Sequence, residues 1–214
     1  MMREHQEKVP FDFIVNKFAE IKPESISRKL DIPYNSNNNT FALYLMGKLY
    51  TVNYPTGEVY DNNGETVKSY VVKTILLRYL VNGNGVPLTN KYISYKDIQD
   101  GQIYYTNFYK RTILRLAKIY GEKSEIFLKN LGTLNVEIME KGDLSFAFEF
   151  MKNISFKFVL YKADDEFETT ANILMDQNTE DYFNAEDLAV VVDVAIDYFI
   201  HGKIHNELGM YNMY

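Results

Sequence analysis

The sequence contains no cysteine. Disulfides, thiolate-bound zinc, iron–sulfur ligation and a cysteine nucleophile all require a cysteine sulfur, so these 214 residues exclude all four. A chain without disulfides fits a reducing compartment, and we therefore expect a cytoplasmic protein.

Long apolar runs are also absent. Charged residues interrupt the first 30 residues, so we predict no signal peptide. No stretch of the sequence approaches the roughly 20 consecutive apolar residues that a membrane span needs. We therefore expect a soluble protein without a membrane partner.

Positive charge is scarce relative to negative charge. The chain has 23 Lys and Arg residues against 29 Asp and Glu residues, which gives a formal net charge of -6. Affinity for nucleic acids depends mainly on neutralising phosphates, so an acidic chain starts at a disadvantage. We do not expect a nucleic-acid partner.

Apolar residues are plentiful, at 46% of the chain, and aromatic residues make up 15%. This content is sufficient for a buried core in a chain of this length. Helical spacing or strand alternation of the apolar residues then indicates the elements. Helices are predicted over 11–21, 24–30, 66–80, 107–120, 124–131 and 185–199, and strands over 41–45, 49–54, 58–60, 144–150, 154–160 and 171–175.

The clearest of these patterns is a hairpin. Phe146, Phe148, Phe156 and Phe158 alternate with smaller or polar residues in two runs, which places all four rings on one face of a half-buried sheet. The link between the two runs is short, so the strands should be antiparallel neighbours.

These elements predict an α+β fold, with an antiparallel or mixed sheet packed against several helices. We expect a flexible N-terminus over residues 1–10, a single domain over 11–204 and a C-terminal tail over 205–214. The two groups of strands lie roughly 80 residues apart, which also permits two sub-domains. No proline- or serine-rich linker separates them, and this favours one domain.

The densest charge in the sequence is an acidic cluster. Asp164, Asp165 and Glu166 precede the last predicted strand, and Asp176 follows it. Clustered carboxylates bind hard divalent cations through oxygen, so Asp164, Asp165 and Asp176 are candidate metal ligands. The alternative is a solvated acidic loop whose Phe167 is buried in the core.

A second charged feature lies on the helix predicted near residues 107–120. Lys110, Arg111, Arg115 and Lys118 fall opposite the apolar stripe of that helix. Such a face could contact phosphate or an acidic partner, or could simply be solvated.

The C-terminal third resembles a known family over residues 156–190, and a looser similarity extends over about 40–200. The segments that carry the resemblance are Phe158–Tyr161, Asp164–Phe167, Ala171–Asp176, Tyr182 and Glu186–Leu188. They resemble the closing part of a domain of unknown function from anaerobic bacteria and archaea. The sequence departs from that pattern at Glu168, where a proline is expected. The resemblance implies an association with corrinoid or iron–sulfur proteins of one-carbon metabolism, and it identifies no catalytic residue or cofactor.

Three functions remain open at this point. The first is a non-enzymatic binding or accessory protein with a protein partner, linked to corrinoid or one-carbon metabolism in an anaerobe. The second is a divalent-cation-dependent enzyme that uses the acidic cluster around Asp164–Glu166. The third is an interaction protein that self-associates.

Overall fold

The computed structural model describes the backbone of residues 2–204 and the side chains from Glu7 onward. Within this range the chain forms two compact units. The first unit comprises residues 2–86 and 181–183, and the second comprises 87–180 and 184–204. The tail predicted over 205–214 lies outside the described residues.

The first unit contains a four-stranded antiparallel sheet with the strands in sequence order. Its elements are α1 (Met2–Glu20), α2 (Pro23–Leu30), β1 (Tyr34–Asn35), β2 (Thr40–Leu45), β3 (Lys48–Asn53), β4 (Val59–Tyr60) and α3 (Tyr70–Asn82). The Phe18 ring of α1 lies 5.8 Å from Phe41 and 5.3 Å from Tyr54, so the helix is fixed to the sheet through aromatic contacts.

A short return of the chain completes this unit. The Tyr182 ring stacks on Tyr79 of α3 at 5.4 Å between centroids, and its hydroxyl donates to the Val86 carbonyl at 2.7 Å. The backbone of Asn84 also donates to the Asp181 carbonyl at 3.0 Å. Residues distant in the sequence therefore cover the end of α3.

The second unit contains a five-stranded antiparallel sheet in the order β5-β9-β8-β7-β6. Its strands are β5 (Tyr92–Ser94), β6 (Glu137–Met139), β7 (Leu144–Met151), β8 (Ile154–Tyr161) and β9 (Thr170–Asp176). Its helices are α4 (Gly101–Phe108), a π-helical segment (Tyr109–Leu114), α5 (Arg115–Glu122), α6 (Ser124–Leu131) and α7 (Ala185–His201), with 3-10 turns at Tyr95–Asp97 and Gln177–Asp181.

The predicted hairpin is the centre of the second core. The rings of Phe146 and Phe158 stack at 5.1 Å on neighbouring strands, and Phe199 of α7 meets both edge-on at 5.5 and 5.4 Å. Phe148 and Phe156 are buried as well. The alternation thus placed one face of the hairpin against a helix, as the sequence predicts.

Helix α7 begins and ends as its sequence indicates. The Asn184 side chain accepts from the Asp187 amide at 2.9 Å, which satisfies one of the free N–H groups of the first turn. Gly202 ends the helix with φ of 69°, a left-handed conformation that favours glycine.

The α+β prediction is confirmed, but the strands form two separate sheets. The predicted single domain over 11–204 stays a prediction. Helix α1 begins at Met2 and so includes residues expected to form a flexible N-terminus, whose flexibility is not tested. No helix among residues 2–204 combines the length and apolar character needed to span a membrane.

Two helix starts differ from the prediction for local reasons. Helix α3 begins at Tyr70 rather than Thr66, because Val67 instead donates to the Val59 carbonyl at 2.8 Å and continues the strand pairing. Helix α4 begins at Gly101, several residues before the predicted start. A Cβ at Gly101 would lie only 1.9 Å from the Tyr95 carbonyl oxygen, so this close approach requires glycine.

Candidate interaction surfaces

Asp176, the first of the predicted metal ligands, is fully buried at the end of β9. Its carboxylate accepts from the Thr89 amide at 3.1 Å and hydroxyl at 2.7 Å, from the Asn90 amide at 2.7 Å and from the Asn178 amide at 3.1 Å. Both carboxylate oxygens are therefore occupied by the chain itself. The arrangement fastens residues 89 and 90 to the end of the strand.

Asp164 and Asp165 lie in the loop that precedes Thr170, the first residue of β9, whereas Asp176 is the last residue of that strand. The seven residues of that strand, at about 3.3 Å each, put about 20 Å between Asp176 and the loop. The structure therefore does not bring the three predicted ligands together. Among the described residues no group of three or more His, Cys, Asp or Glu side chains is arranged to hold a metal ion. A cation bound by Asp164 and Asp165 alone stays a prediction.

The loop that carries these two aspartates is a closed turn. One oxygen of Asp164 accepts from the amides of Glu166 at 2.9 Å and Phe167 at 2.8 Å, and these bonds hold the pKa of Asp164 below its ordinary value. The Asp164 amide in turn donates to the Phe167 carbonyl at 3.0 Å. We call residues 164–168 the acidic tip.

The prediction that Phe167 is buried in the core is wrong. Its side chain is 68% exposed at the acidic tip. The alternation of the neighbouring strands does not extend to Phe167, because the turn closed by Asp164 sets the direction of its side chain. The result is an exposed aromatic ring among four carboxylates, those of Asp164, Asp165, Glu166 and Glu168.

A buried ion-pair cluster joins the π-helical segment and α5 to α7. The Asp193 carboxylate is fully buried, and one oxygen accepts from Arg111 Nε at 3.2 Å and Nη2 at 2.8 Å. Its other oxygen accepts from Arg115 Nη1 at 2.5 Å. Arg115 Nη2 reaches Asp197 at 3.3 Å. We call these four side chains the Arg–Asp cluster.

The charges of the Arg–Asp cluster largely balance each other. Burial raises the pKa of Asp193, and the neighbouring guanidinium groups of Arg111 and Arg115 oppose that change. Asp197 Oδ1 also lies 3.6 Å from His201 Nε2, whereas Asp197 Oδ2 is buried without a hydrogen-bond donor in the described part of the chain. With two cations facing two anions, we interpret the cluster as a structural anchor between helices.

Arg111 and Arg115 were predicted to share one solvated or ligand-binding face with Lys110 and Lys118. That prediction is wrong for the two arginines, whose side chains are only 23% and 13% exposed. The sequence of α7 contained a signal for these ion pairs. Asp193 and Asp197 lie four residues apart, so they share one face of that helix. Two acids four residues apart in a mostly apolar helix require cationic partners.

The two lysines do remain outside. Ile103, Lys110, Leu114 and Lys118 recur at helical spacing and are all exposed, Ile103 by 77% and Leu114 by 46%. Neither lysine has an ion-pair partner among residues 2–204. We call these four residues the outer helix face. It combines two apolar side chains with two unpaired cations.

The acidic tip and this helix adjoin within the second unit. A Cβ at Gly121, near the end of α5, would lie 2.9 Å from the Thr169 hydroxyl, so the base of the tip packs closely on the helix end. Lys162 Nζ lies 5.8 Å from the Tyr120 ring at the same place. The tip therefore lies beside the end of the helix that carries the outer helix face.

These features define an α+β protein with a buried Arg–Asp cluster, an exposed acidic tip and an exposed outer helix face. A sequence model for the domain of unknown function DUF3786 matches residues 22–198, so the chain belongs to that family. The resemblance found from the sequence is thus confirmed, and the anaerobic origin stays a prediction. No curated protein and no solved structure matches the chain.

Proposed function

We propose that the protein is a non-enzymatic binding or accessory protein that engages a protein partner through the acidic tip. The observation that carries this proposal is the position of Phe167, 68% exposed on a closed turn and surrounded by carboxylates. An isolated exposed apolar residue needs no explanation. Phe167 differs from such a residue because hydrogen bonds already order the turn that carries its ring. An ordered aromatic ring is better suited to binding a partner than to contact with water.

The chemistry of the tip indicates how a partner would bind. Burying a Phe side chain contributes about 1.5–3 kcal/mol, and aromatic residues are typical anchors of interfaces. The bonds from the Glu166 and Phe167 amides to Asp164 order the turn before binding, which reduces the entropy lost on association. The surrounding carboxylates favour a basic partner surface and would raise the association rate.

The family resemblance suggests which partners to test first. A corrinoid or iron–sulfur protein of one-carbon metabolism, in the cytoplasm of an anaerobe, is the first class that we would examine. The partner surface should contain an apolar pocket for Phe167 bordered by Lys or Arg residues. This chemistry, rather than any particular enzyme, is the core of the proposal.

Photo-crosslinking tests the proposal directly. A photoreactive phenylalanine analogue at position 167 should crosslink a specific protein in extract from the native host, whereas the same analogue at Phe13 should not. Phe13 is a suitable control because it is an exposed phenylalanine, at 58%, in the first unit.

The captured protein is then purified and its affinity measured by calorimetry. We expect Phe167→Ser to weaken binding at least about tenfold, which corresponds to about 1.4 kcal/mol, and Phe13→Ser to leave it unchanged. Equal affinities for the two variants would refute the role of the tip.

A further inference from the structure

The outer helix face and the acidic tip are opposite in charge and alike in exposing apolar side chains. Lys110 and Lys118 are exposed and lack ion-pair partners within residues 2–204. On the tip, the carboxylates of Asp165, Glu166 and Glu168 are exposed as well. Each surface thus offers the charge and the apolar contact that the other lacks.

From this complementarity we infer that a second copy of this chain is a partner of the acidic tip. The tip of each copy would dock on the outer helix face of the other, with Phe167 against Leu114, which lies four residues from each of Lys110 and Lys118. The inference rests on the proposed function, since it assigns an occupant to the same tip.

The arrangement of the two surfaces suits a two-fold dimer. In an isologous interface each copy contributes the same patch, so that patch must contain both complementary parts. The contact between Gly121 and Thr169 places the tip beside the end of the helix that carries the outer face. Both parts lie in the same unit, and a two-fold axis would form the contact between them twice.

Charge reversal provides a selective test. Lys110→Glu with Lys118→Glu reverses the outer face, and Asp165→Lys with Glu166→Lys and Glu168→Lys reverses the tip, since Asp164 is then its one remaining carboxylate. In either homodimer both contacts become repulsive, and we expect dimerisation to weaken at least about tenfold, equivalent to about 1.4 kcal/mol. Mixing the two variants creates one native and one doubly reversed contact, both attractive. The mixture should therefore form a heterodimer, and the chain that carries all five substitutions should regain its homodimer.

The measurement is sedimentation velocity of the full chain at concentrations from about 1 µM to about 1 mM, the range in which a modest interface dimerises. All five substituted residues are exposed, and circular dichroism checks that each variant is folded. Lys48→Glu with Lys129→Glu is the matched control, because it makes the same charge change at exposed lysines on neither surface. This control should dimerise like the unmodified chain.

The outcomes separate this inference from the proposed function. A monomer at every concentration, a dimer indifferent to both reversals, or a mixture that fails to associate would each overturn the dimer. The crosslink from position 167 to a different protein could still be found in those cases. If Phe167→Ser leaves both the dimer and the captured partner unaffected, the tip binds neither, and both proposals fail.

Discussion

Replacing Arg115 with methionine removes the one side chain that joins both buried aspartates of the Arg–Asp cluster. Arg115 is 13% exposed, and its two Nη atoms bond to Asp193 and Asp197, which are 0% and 3% exposed. Arg111 still pairs with Asp193 in the variant, whereas within residues 2–204 Asp197 keeps only His201, at 3.6 Å. The substitution therefore leaves one buried carboxylate largely uncompensated.

Breaking a buried ion pair in this way costs about 3–5 kcal/mol. Because Arg111 still compensates Asp193, we expect the lower end, about 3 kcal/mol of the free energy of unfolding. For a chain of this size that loss lowers Tm by about 6–12 °C. Removing the stranded charge as well, in Arg115→Met with Asp197→Leu, should recover part of the loss, since an apolar replacement of a buried pair is often neutral.

Thermal and urea unfolding followed by circular dichroism measure these differences. Lys118→Met is the matched control, a long cation replaced on the same helix at an exposed position, and it should stay within about 0.5 kcal/mol of the unmodified chain. If Arg115→Met is no less stable than Lys118→Met, the cluster is effectively solvated and our interpretation of it as a buried anchor fails.

Three further predictions concern single groups. Burial, with a smaller effect of the Asp61 carboxylate, raises the pKa of Tyr50 to about 12, so the contribution of Tyr50 to stability should fall by up to about 3 kcal/mol as the pH rises from about 10 to 12. Burial raises the pKa of Tyr95 as well, so in alkaline urea unfolding Tyr50→Phe should remove only the part of the loss that belongs to Tyr50. The backbone N–H groups at the carboxylate of Asp164 stabilise its ionised form, so the turn should be stable above the ordinary pKa of 3.8 and open as the pH falls through a lower folded value; an NMR titration midpoint above 3.8 would contradict this. Asp176→Asn should cost about 2 kcal/mol, because it weakens the bonds from the amides of Thr89, Asn90 and Asn178, whereas Asp165→Asn costs almost nothing. A rise of Tm with Mg²⁺, Mn²⁺ or Ca²⁺ that Asp165→Asn removes would support a cation at Asp164 and Asp165, and an unchanged Tm would exclude it.

The spacing of apolar residues predicted helices and strands correctly where one face of the element is buried. The four phenylalanines of β7 and β8 alternate because one side of the hairpin meets α7, and this regularity is visible in the sequence. The pairing of β5 with β9 was not predicted, because a strand of three residues, Tyr92–Ser94, carries too little alternation. Whether two groups of strands share one sheet depends on contacts distant in the sequence, and periodicity does not reveal these.

The candidate surfaces were less predictable than the fold. The position of Phe167 depends on two hydrogen bonds, one from its amide to the Asp164 carboxylate and one from the Asp164 amide to its carbonyl. A residue pattern does not encode where such a turn directs a ring. The difference between Arg111, which is paired, and Lys110, which is exposed, depends on which edge of the helix borders α7. The aspartates of α7 could have indicated the partners of the arginines, because acids in an apolar helix need them.

The excursion of residues 181–183 into the first unit has a consequence for how this chain can be divided. A chain truncated after Val86 would contain every helix and strand described in that unit but would lack Tyr182. Tyr79 would then lose the ring that stacks on it, and the Val86 carbonyl would lose the bond from the Tyr182 hydroxyl. The first unit is therefore not encoded by one continuous segment of the sequence. A truncated product that ends at Val86 would therefore expose the face of Tyr79 that Tyr182 covers.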